Sequence, residues 1–148
     1  MADTALSHSG TPAVAISSAD TIEEAEVIAL YRAVGWSSAD KPAQLLAGLR
    51  GSHTLVTARA AGRLVGLGNA LSDGHLVVYF PHLLVHPDVQ RQGVGRLLLQ
   101  TLLTRYQGFH MQMLTADAES VAFYRSLGFV QAGGTIPMWV YAGTEHDA

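Results

Sequence analysis

The change from a strand pattern to a helix pattern between residues 75 and 106 constrains the fold most. Residues 75–85 are rich in β-branched and aromatic side chains, which favours a long strand. Residues 94–106 repeat apolar side chains three and four positions apart, as an amphipathic helix requires. A short apolar stretch, residues 109–114, then predicts another strand. A strand, a helix and a second strand in this order form a βαβ unit with parallel strands.

The segments around this unit predict an antiparallel meander with additional helices. Pro81 lies inside the long strand, and because a proline cannot donate to the ladder, we expect a bulge or a broken pairing there. Asp73-Gly74 predicts a hairpin turn. We therefore expect a mixed α/β (α+β) fold in a single domain over residues 1–148, with residues 1–11 as a disordered tail. The other predicted strands are residues 14–17, 54–59, 64–71, 129–131 and 136–141, and the other predicted helices are residues 22–34, 42–51 and 119–127.

The composition excludes several classes of protein. The chain has 148 residues and no cysteine, which rules out disulfides, thiolate nucleophiles and cysteine-ligated zinc. Charged residues make up 14% of it and the formal net charge is −3, with no basic block to neutralise phosphates, so we expect no nucleic-acid partner. The sequence has no signal-peptide pattern near its start and no apolar run of bilayer-spanning length, so we expect no membrane partner and a cytoplasmic location.

The segment from Gln90 to Arg96 predicts a loop that binds an anion. It lies between the long strand and the amphipathic helix, where backbone amides at a helix start have no intrahelical partner. Gly93 and Gly95 leave room for a phosphate to approach the backbone, and Arg91 and Arg96 add positive charge. Two glycines at this spacing also fit an ordinary strand-to-helix turn, and that alternative stays open on these residues alone.

Two other phosphate-binding classes fit this loop poorly. No Lys-Ser or Lys-Thr pair follows Gly95, as a Walker motif would require. The loop also lacks the third glycine of a dinucleotide fingerprint. ATPase and NAD-dependent functions are therefore disfavoured.

Two separate motifs resemble signatures of the GNAT superfamily of N-acetyltransferases. Gln90-Arg91-Gln92-Gly93-Val94-Gly95 resembles its Gln/Arg-x-x-Gly-x-Gly/Ala signature, and Phe123-Tyr124-Arg125-Ser126-Leu127-Gly128-Phe129 is similar to its second signature. Leu84-Val85-His86-Pro87 resembles the end of its fourth strand. The resemblance covers roughly residues 64–141. It implies a central, mostly antiparallel sheet whose parallel fourth and fifth strands splay apart, flanked by about four helices.

The resemblance also implies acetyl-CoA as cosubstrate and a set of residues to hold it. Backbone groups at the end of the fourth strand would pair with the pantetheine arm, and a strand amide near Leu84 would polarise the thioester carbonyl. Asp117 departs from the family, which often has an asparagine there, because an ionised carboxylate cannot donate a hydrogen bond. The implied cofactor-binding residues are Leu83, Leu84, Val85, Gln90, Arg91, Gln92, Gly93, Val94, Gly95, Arg96, Asp117 and Tyr124.

Two side chains are candidates for the proton transfers that acetyl transfer needs. The resemblance implies Tyr124 as the general acid, and a phenol with a pKa of about 10 is protonated at neutral pH. The alternative is a tyrosine that only packs its ring. His82 stands where many relatives carry a carboxylate, and an imidazole suits a general base near neutral pH. A histidine bonded to the backbone, or an ordered water network acting as the base, remains an alternative.

The acceptor side is defined only by aromatic residues. Tyr31, Trp36, Tyr79 and Trp139 are candidates to form an apolar slot or a cation cage, although core packing explains aromatic residues equally well. The sequence around Tyr31 and Trp36 is similar to a subgroup related to plastid-type arylalkylamine acetyltransferases. No histidine pair has metal-ligand spacing, so we expect no metal.

Together these features predict an enzyme that transfers acetyl from acetyl-CoA to a primary amine by direct attack in a ternary complex. A small-molecule amine is the favoured acceptor, and the resemblance is compatible with a homodimer. The alternatives are a non-catalytic acyl-CoA-binding or sensor module, and an acetyltransferase that acts on protein N-termini or lysines. A binding module would bind acyl-CoA without releasing thiol.

Overall fold

Six strands form a sheet in the computed structural model, which describes residues 13–145. The strands pair in the order β1-β2-β3-β4-β6, and β5 pairs with β3 beside this path. All pairs are antiparallel except β4 with β6, which is parallel. The strands are β1 (Val14–Ser17), β2 (Thr54–Ala60), β3 (Arg63–Ser72), β4 (Val77–Tyr79), β5 (Leu83–Val85) and β6 (Met111–Met113).

Four α-helices in the described part of the chain accompany the sheet, and the mixed, mostly antiparallel fold predicted from the sequence is confirmed. They are α1 (Glu24–Ala33), α2 (Pro42–Arg50), α3 (Val94–Arg105) and α4 (Val121–Ser126), with 3-10 turns at Ser37–Asp40, Pro87–Val89 and Ala118–Ser120. Pro42 stands in the first turn of α2 and Gly51 caps its end, as expected. The helix expected at 119–127 begins as a 3-10 turn and contracts to α4.

The helices bury the two faces of the sheet in two separate cores. One core joins α1 and α2 to side chains such as Leu67 of β3 and Leu84 of β5. The other joins α3 to the opposite face, through Leu98 and Leu102, with Leu83 and Val85 packed at its edge. Successive side chains of β5 therefore point to opposite faces, as the strand period of two requires.

Glycine in the middle of β3 lets α3 and β5 approach it closely. A Cβ atom at Gly66 would lie 3.1 Å from the carbonyl oxygen of Leu84 and 3.1 Å from Cδ1 of Leu98. A Cβ atom at Gly68 would lie 2.9 Å from Cδ1 of Leu102. The middle of α3 and the backbone of β5 are thus both brought against β3.

The predicted interruption at Pro81 is present. Residues 75–85 do not form one long strand but divide into β4 and β5 on either side of Pro81. The parallel pairing of β4 with β6 extends to the bond from Phe80 N to Met113 O (2.9 Å) and goes no further along the chain. Beyond that point β3 is the only described strand that pairs with β5. The expected splay of the family's fourth and fifth strands corresponds here to the separation of β5 from β6.

The prediction of strands at residues 129–131 and 136–141 was wrong, because neither segment is a strand in the structure. A turn at Gly133 and Gly134 separates them, and Pro137 cannot donate to a ladder. Val130, Ile136 and Met138 are 83%, 80% and 92% exposed, so these apolar side chains pack against no described strand. An apolar pattern alone does not supply the neighbouring strand that a ladder needs.

Residues 1–11, predicted to be a disordered tail, lie outside the described residues, and the single-domain organisation stays a prediction. No helix within residues 13–145 has the length and apolar character needed to cross a bilayer.

We predict that Gly66→Ala destabilises the fold by about 1–3 kcal/mol, because the backbone carbonyl of Leu84 cannot retreat without disturbing the β3–β5 pairing. Urea denaturation measures this loss. The matched control is Gly48→Ala in α2, where a Cβ meets nothing within 4 Å. The control is expected to gain about 0.5–1 kcal/mol from the lower backbone entropy of alanine. Equal stability of Gly66→Ala and the wild-type chain would contradict the close approach.

Candidate functional site

One edge of β5 is paired with β3, and no strand within residues 13–145 pairs with the other, open edge. His86 N donates to Val65 O (2.7 Å) and Asn69 N donates to His82 O (3.1 Å), so these residues use their backbone groups toward β3. Since bonding alternates along an antiparallel pair, Leu84 also bonds to β3. The amide groups of the residues on either side of it, Leu83 and Val85, point away from β3. The available amides are therefore these two rather than that of Leu84 itself.

A side chain from the following loop is fixed to this open edge. Gln90 Nε2 donates to Val85 O at 2.9 Å. This bond holds the loop against the end of β5 and uses the carbonyl of Val85. Gln90 therefore has a structural part in the site, which the motif alone did not reveal.

The loop before α3 presents unpaired amides. Arg91 and Gly93 both have positive φ, 62° and 86°, so the backbone turns twice in the left-handed region before the helix begins. None of the amides of residues 91–96 donates a hydrogen bond within the described part of the chain. Successive amides in such turns and at a helix start converge on an anion. The geometry thus fits the expected anion site.

The start of α3 also contacts β5 and α4. A Cβ atom at Gly95 would lie 3.6 Å from Cγ2 of Val85 and 3.8 Å from Cζ of Phe123. Arg96 donates to Ser126 Oγ at 2.7 Å, and its guanidinium carbon lies 5.9 Å from the centroid of the Phe123 ring. Arg96 thereby ties α4 to α3. The loop, the open edge of β5 and α4 meet at one place.

Tyr124 follows Phe123 on α4 and is half-buried. Its ring packs edge-on against Phe123 and Phe129, at centroid distances of 5.1 and 6.0 Å. Burial, followed by the negative charge of Asp117, raises the pKa of Tyr124 above its usual value. The phenol is therefore protonated at neutral pH, as a proton donor must be.

His82 lies in the gap between β4 and β5, and Asn69 of β3 forms hydrogen bonds with both its backbone amide and its backbone carbonyl. The Asn69 side-chain oxygen accepts from His82 N (3.0 Å), and Asn69 N donates to His82 O (3.1 Å). Asn69 Nδ2 in turn donates to Ser52 Oγ (3.0 Å). Asn69 is 4% exposed, and sequence reasoning missed it. The one available signal was a single amide within an otherwise apolar strand.

The imidazole of His82 is held by aromatic residues from α1 and the turn after it. Its Nδ1 lies 2.7 Å from the hydroxyl of Tyr31, and its ring centroid lies 5.3 Å from that of Trp36. Burial lowers the pKa of His82, and the negative charge of Glu145 offsets part of this effect. The imidazole is therefore neutral at pH 7 and can accept a proton.

The candidate acceptor residues do not all meet. Tyr31 is fully buried and Trp36 half-buried, and the two rings form an edge contact at 5.8 Å. Tyr79 on β4 is 40% exposed and makes no ring contact with another described residue. Trp139 is exposed and stacks on Tyr141 at 4.3 Å. The structure therefore joins Tyr31 and Trp36 to His82, but does not join Tyr79 to them.

Asp117 and Glu145 carry negative charges that act on Tyr124 and His82 respectively. Asp117 precedes the 3-10 turn Ala118–Ser120, where its carbonyl accepts from Ser120 N (2.9 Å) and its charge reaches Tyr124. Glu145, which no sequence signal indicated, reaches Ser37 beside Trp36. No cluster of three or more potential metal-ligating side chains occurs within residues 13–145.

Comparison with solved structures finds the same fold in proteins described as acetyltransferases. The GNAT-family acetyltransferase SP0256 from Streptococcus pneumoniae TIGR4 superposes with a TM-score of 0.75 at 29% identity, covering 88% of this chain and 99% of that one. A putative acetyltransferase from Deinococcus radiodurans R1 gives a TM-score of 0.75 at 27% identity, covering 87% and 88%.

Sequence comparison identifies curated relatives and the family. An uncharacterized N-acetyltransferase, ycf52 of Gracilaria tenuistipitata var. liui, is 35% identical over 69 residues, 45% of this chain and 38% of the relative. Histone acetyltransferase TAP1 of Glycine max is 28% identical over 130 residues, 78% of this chain and 55% of the relative. The chain thus spans between two fifths and about half the length of these relatives. Since the acetyltransferase (GNAT) domain pattern matches residues 20–137, the chain belongs to the GNAT family of acetyltransferases.

Proposed function

We propose that this chain transfers an acetyl group from acetyl-CoA to a primary amine. The observation that carries the proposal is the meeting of three features: the unpaired amides of residues 91–96, the open edge of β5 and the helix α4, which carries Tyr124. Gly95 links them, since it faces both Val85 and Phe123. An acyl carrier with a diphosphate at one end and a thioester at the other matches this arrangement.

The residues present fit coenzyme A. The amides of the loop would hold its diphosphate, with Arg91 adding positive charge, and Arg96 would contribute mainly by fixing α4. The amides of Leu83 and Val85 would bind the amide-rich pantetheine arm and polarise the thioester oxygen. Acetyl-CoA supplies an acyl group activated by a thiol leaving group. Asp117 would act on this site through its charge on Tyr124.

His82 and Tyr124 would move the two protons of the reaction. As the amine nitrogen bonds to the thioester carbon, His82 accepts the proton that the nitrogen loses. As the carbon–sulfur bond breaks, Tyr124 donates a proton to the sulfur. Both groups have the required protonation state at pH 7, because burial lowers the pKa of His82 and raises that of Tyr124. With no cysteine in the sequence, the amine attacks the thioester directly in a ternary complex.

Tyr31 would set which nitrogen of His82 is available. Burial raises the pKa of Tyr31, so its hydroxyl stays protonated. When His82 Nδ1–H donates to the Tyr31 oxygen, Nε2 keeps its lone pair and can accept a proton. Since Tyr31 is fully buried, it acts on the acceptor through His82 and is a positioning residue.

A second candidate function is acetylation of lysine side chains in proteins. It is favoured by the names of two relatives, the histone acetyltransferase TAP1 and the peptidyl-lysine N-acetyltransferase YjaB of Salmonella typhimurium, which is 33% identical over 51 residues. Both matches span only part of those proteins. A non-catalytic acyl-CoA-binding module is the third candidate.

Titration calorimetry with coenzyme A, followed by thiol release from acetyl-CoA with a panel of amines and a lysine peptide, tests the proposal. Binding together with amine-dependent thiol release supports an acetyltransferase of small amines. Binding without release supports the binding module, and release only with the peptide supports the protein acetyltransferase. Absence of coenzyme A binding contradicts all three candidates.

We predict that Tyr124→Phe lowers kcat by about 100-fold, since the thiolate then leaves without a proton donor. The affinity for coenzyme A stays near the wild-type value, because the phenyl ring keeps its packing on Phe123 and Phe129. Thiol-release assays give kcat and calorimetry gives Kd. A wild-type kcat in this variant would show that Tyr124 is not the acid.

We predict that kcat/KM falls with decreasing pH through an acidic limb whose midpoint lies below 6.5, because burial lowers the pKa of His82. Below that midpoint His82 is protonated and accepts no proton, so activity is lost as the pH falls. His82→Ala removes this limb from the profile. The ionisation of an alkylamine acceptor, near pH 10, remains in both profiles. Persistence of the acidic limb in the variant would exclude His82 as the base.

A further inference from the structure

The segment Tyr141–Glu145 lies against the turn that follows α1. Ser37 N donates to Glu145 Oε2 at 3.1 Å, and Thr144 N donates to Ser37 Oγ at 3.2 Å. Thr144 N also lies 3.3 Å from Glu145 Oε2. Ser37 directly follows Trp36, so these bonds place the Glu145 carboxylate beside the aromatic side of the His82 site.

Glu145 carries a negative charge that no described cation neutralises. Partial burial acts to raise its pKa, but hydrogen bonds, that from Ser37 foremost, lower the pKa of Glu145 to about 2. Its partners are amide and hydroxyl groups of Ser37, Thr144 and Tyr141, and within residues 13–145 no lysine, arginine or histidine forms an ion pair with it. The carboxylate is also exposed, so a ligand can reach it.

The backbone of the segment is shaped to hold this carboxylate. Tyr141 donates to Glu145 from the other side of the turn, and a Cβ atom at Gly143 would overlap the Tyr141 phenol ring. A residue larger than glycine at position 143 would displace that ring. The position of the Glu145 carboxylate therefore depends on two contacts, one with Ser37 after α1 and one with Tyr141 in its own segment.

Glu145 is also close enough to His82 for its charge to act on the imidazole. The groups that face His82 are the Tyr31 hydroxyl from α1, the Trp36 ring, the Asn69 side chain from β3 and the charge of Glu145. Among these, Glu145 is the one negative charge. A cation near Trp36 would meet both this carboxylate and an aromatic ring, two features that favour positive charge.

We propose that Glu145 binds a second cationic group of the acceptor, so that the chain prefers a small alkyl diamine over the corresponding monoamine. This inference rests on the proposed function. While one nitrogen loses its proton to His82 and attacks the thioester, the other stays protonated at Glu145 with its charge near the Trp36 ring. A neutral arylamine would make no use of this contact.

The test compares two acceptors, butylamine and the diamine with the same four-carbon stem, at saturating acetyl-CoA. Both have an alkylamine of similar basicity, and they differ in the second ammonium group. For the wild-type chain we expect a lower KM for the diamine. Glu145→Gln is expected to raise the KM for the diamine roughly fivefold, the size of an exposed ion pair, and to leave the KM for butylamine unchanged. Because the lost charge also acts on His82, a change of kcat is expected to be shared by both amines. A diamine offers two equivalent nitrogens and so has a statistical advantage over butylamine. Dividing the KM of the variant by that of the wild type, for each amine, cancels this advantage.

Two variants serve as controls. Glu24→Gln removes the same charge from the exposed side of the first turn of α1, and its KM values for both amines are expected to match the wild type. Glu145→Asp keeps the charge and is expected to retain part of the diamine preference. Matching Tm values show that neither change at position 145 unfolds the chain.

The outcomes separate the inference from the proposed function. Selective loss of the diamine preference in Glu145→Gln supports the inference. Equal changes of KM for both amines, no change of KM for either, or a stronger preference for a lysine peptide than for the diamine overturns it while acetyl transfer stands. Absence of thiol release with every amine in the wild-type chain contradicts the proposed function, and the inference fails with it.

Discussion

The two hydrogen bonds between Asn69 and His82 are the interaction on which the candidate site depends. Pro81 has no amide hydrogen, so the strand that contains it cannot continue its ladder without interruption. The side-chain oxygen of Asn69 accepts from His82 N at 3.0 Å, so the amide that follows the proline keeps a hydrogen-bond partner on β3. The chain then resumes pairing with β3 as β5, separated from β6. The buried side-chain amide of Asn69 thus fixes the position of the chain where the sheet is interrupted, and β5 separates from β6 at a defined place.

The opening beside β5 can serve as a binding site only because the start of α3 packs next to it. The absence of a side chain at Gly66 brings β3 close to Leu84 and Leu98, and the absence of one at Gly95 brings the start of the helix close to Val85. The same helix start carries Arg96, which reaches Ser126 and fixes α4. Groups far apart in the sequence, the loop amides and the helix α4 that carries Tyr124, therefore lie around the end of a single three-residue strand. The proposed chemistry needs this convergence more than it needs any one residue.

Local patterns were sufficient to predict the parts of the fold that depend on local chemistry. The strand-to-helix change, the interruption at Pro81, the amphipathic α3 and the glycine loop all follow from residues close together in the sequence, and all are present. The predicted strands near residues 130 and 138 were wrong because a strand needs a neighbour, and side-chain alternation does not say whether one exists. Asn69 and Glu145 were missed for a related reason, since their importance comes from partners more than ten residues away.

The fixed attachment of the loop to β5 has a consequence for the length of the ligand. Gln90 Nε2 donates to Val85 O at 2.9 Å, so the loop proposed to bind the diphosphate is bonded directly to the strand proposed to bind the pantetheine arm. Such a bond favours one distance between the two proposed binding positions. The protein would then select carriers by the length of the arm between diphosphate and sulfur. A carrier with a shorter or longer arm could bind without bringing its sulfur to Tyr124.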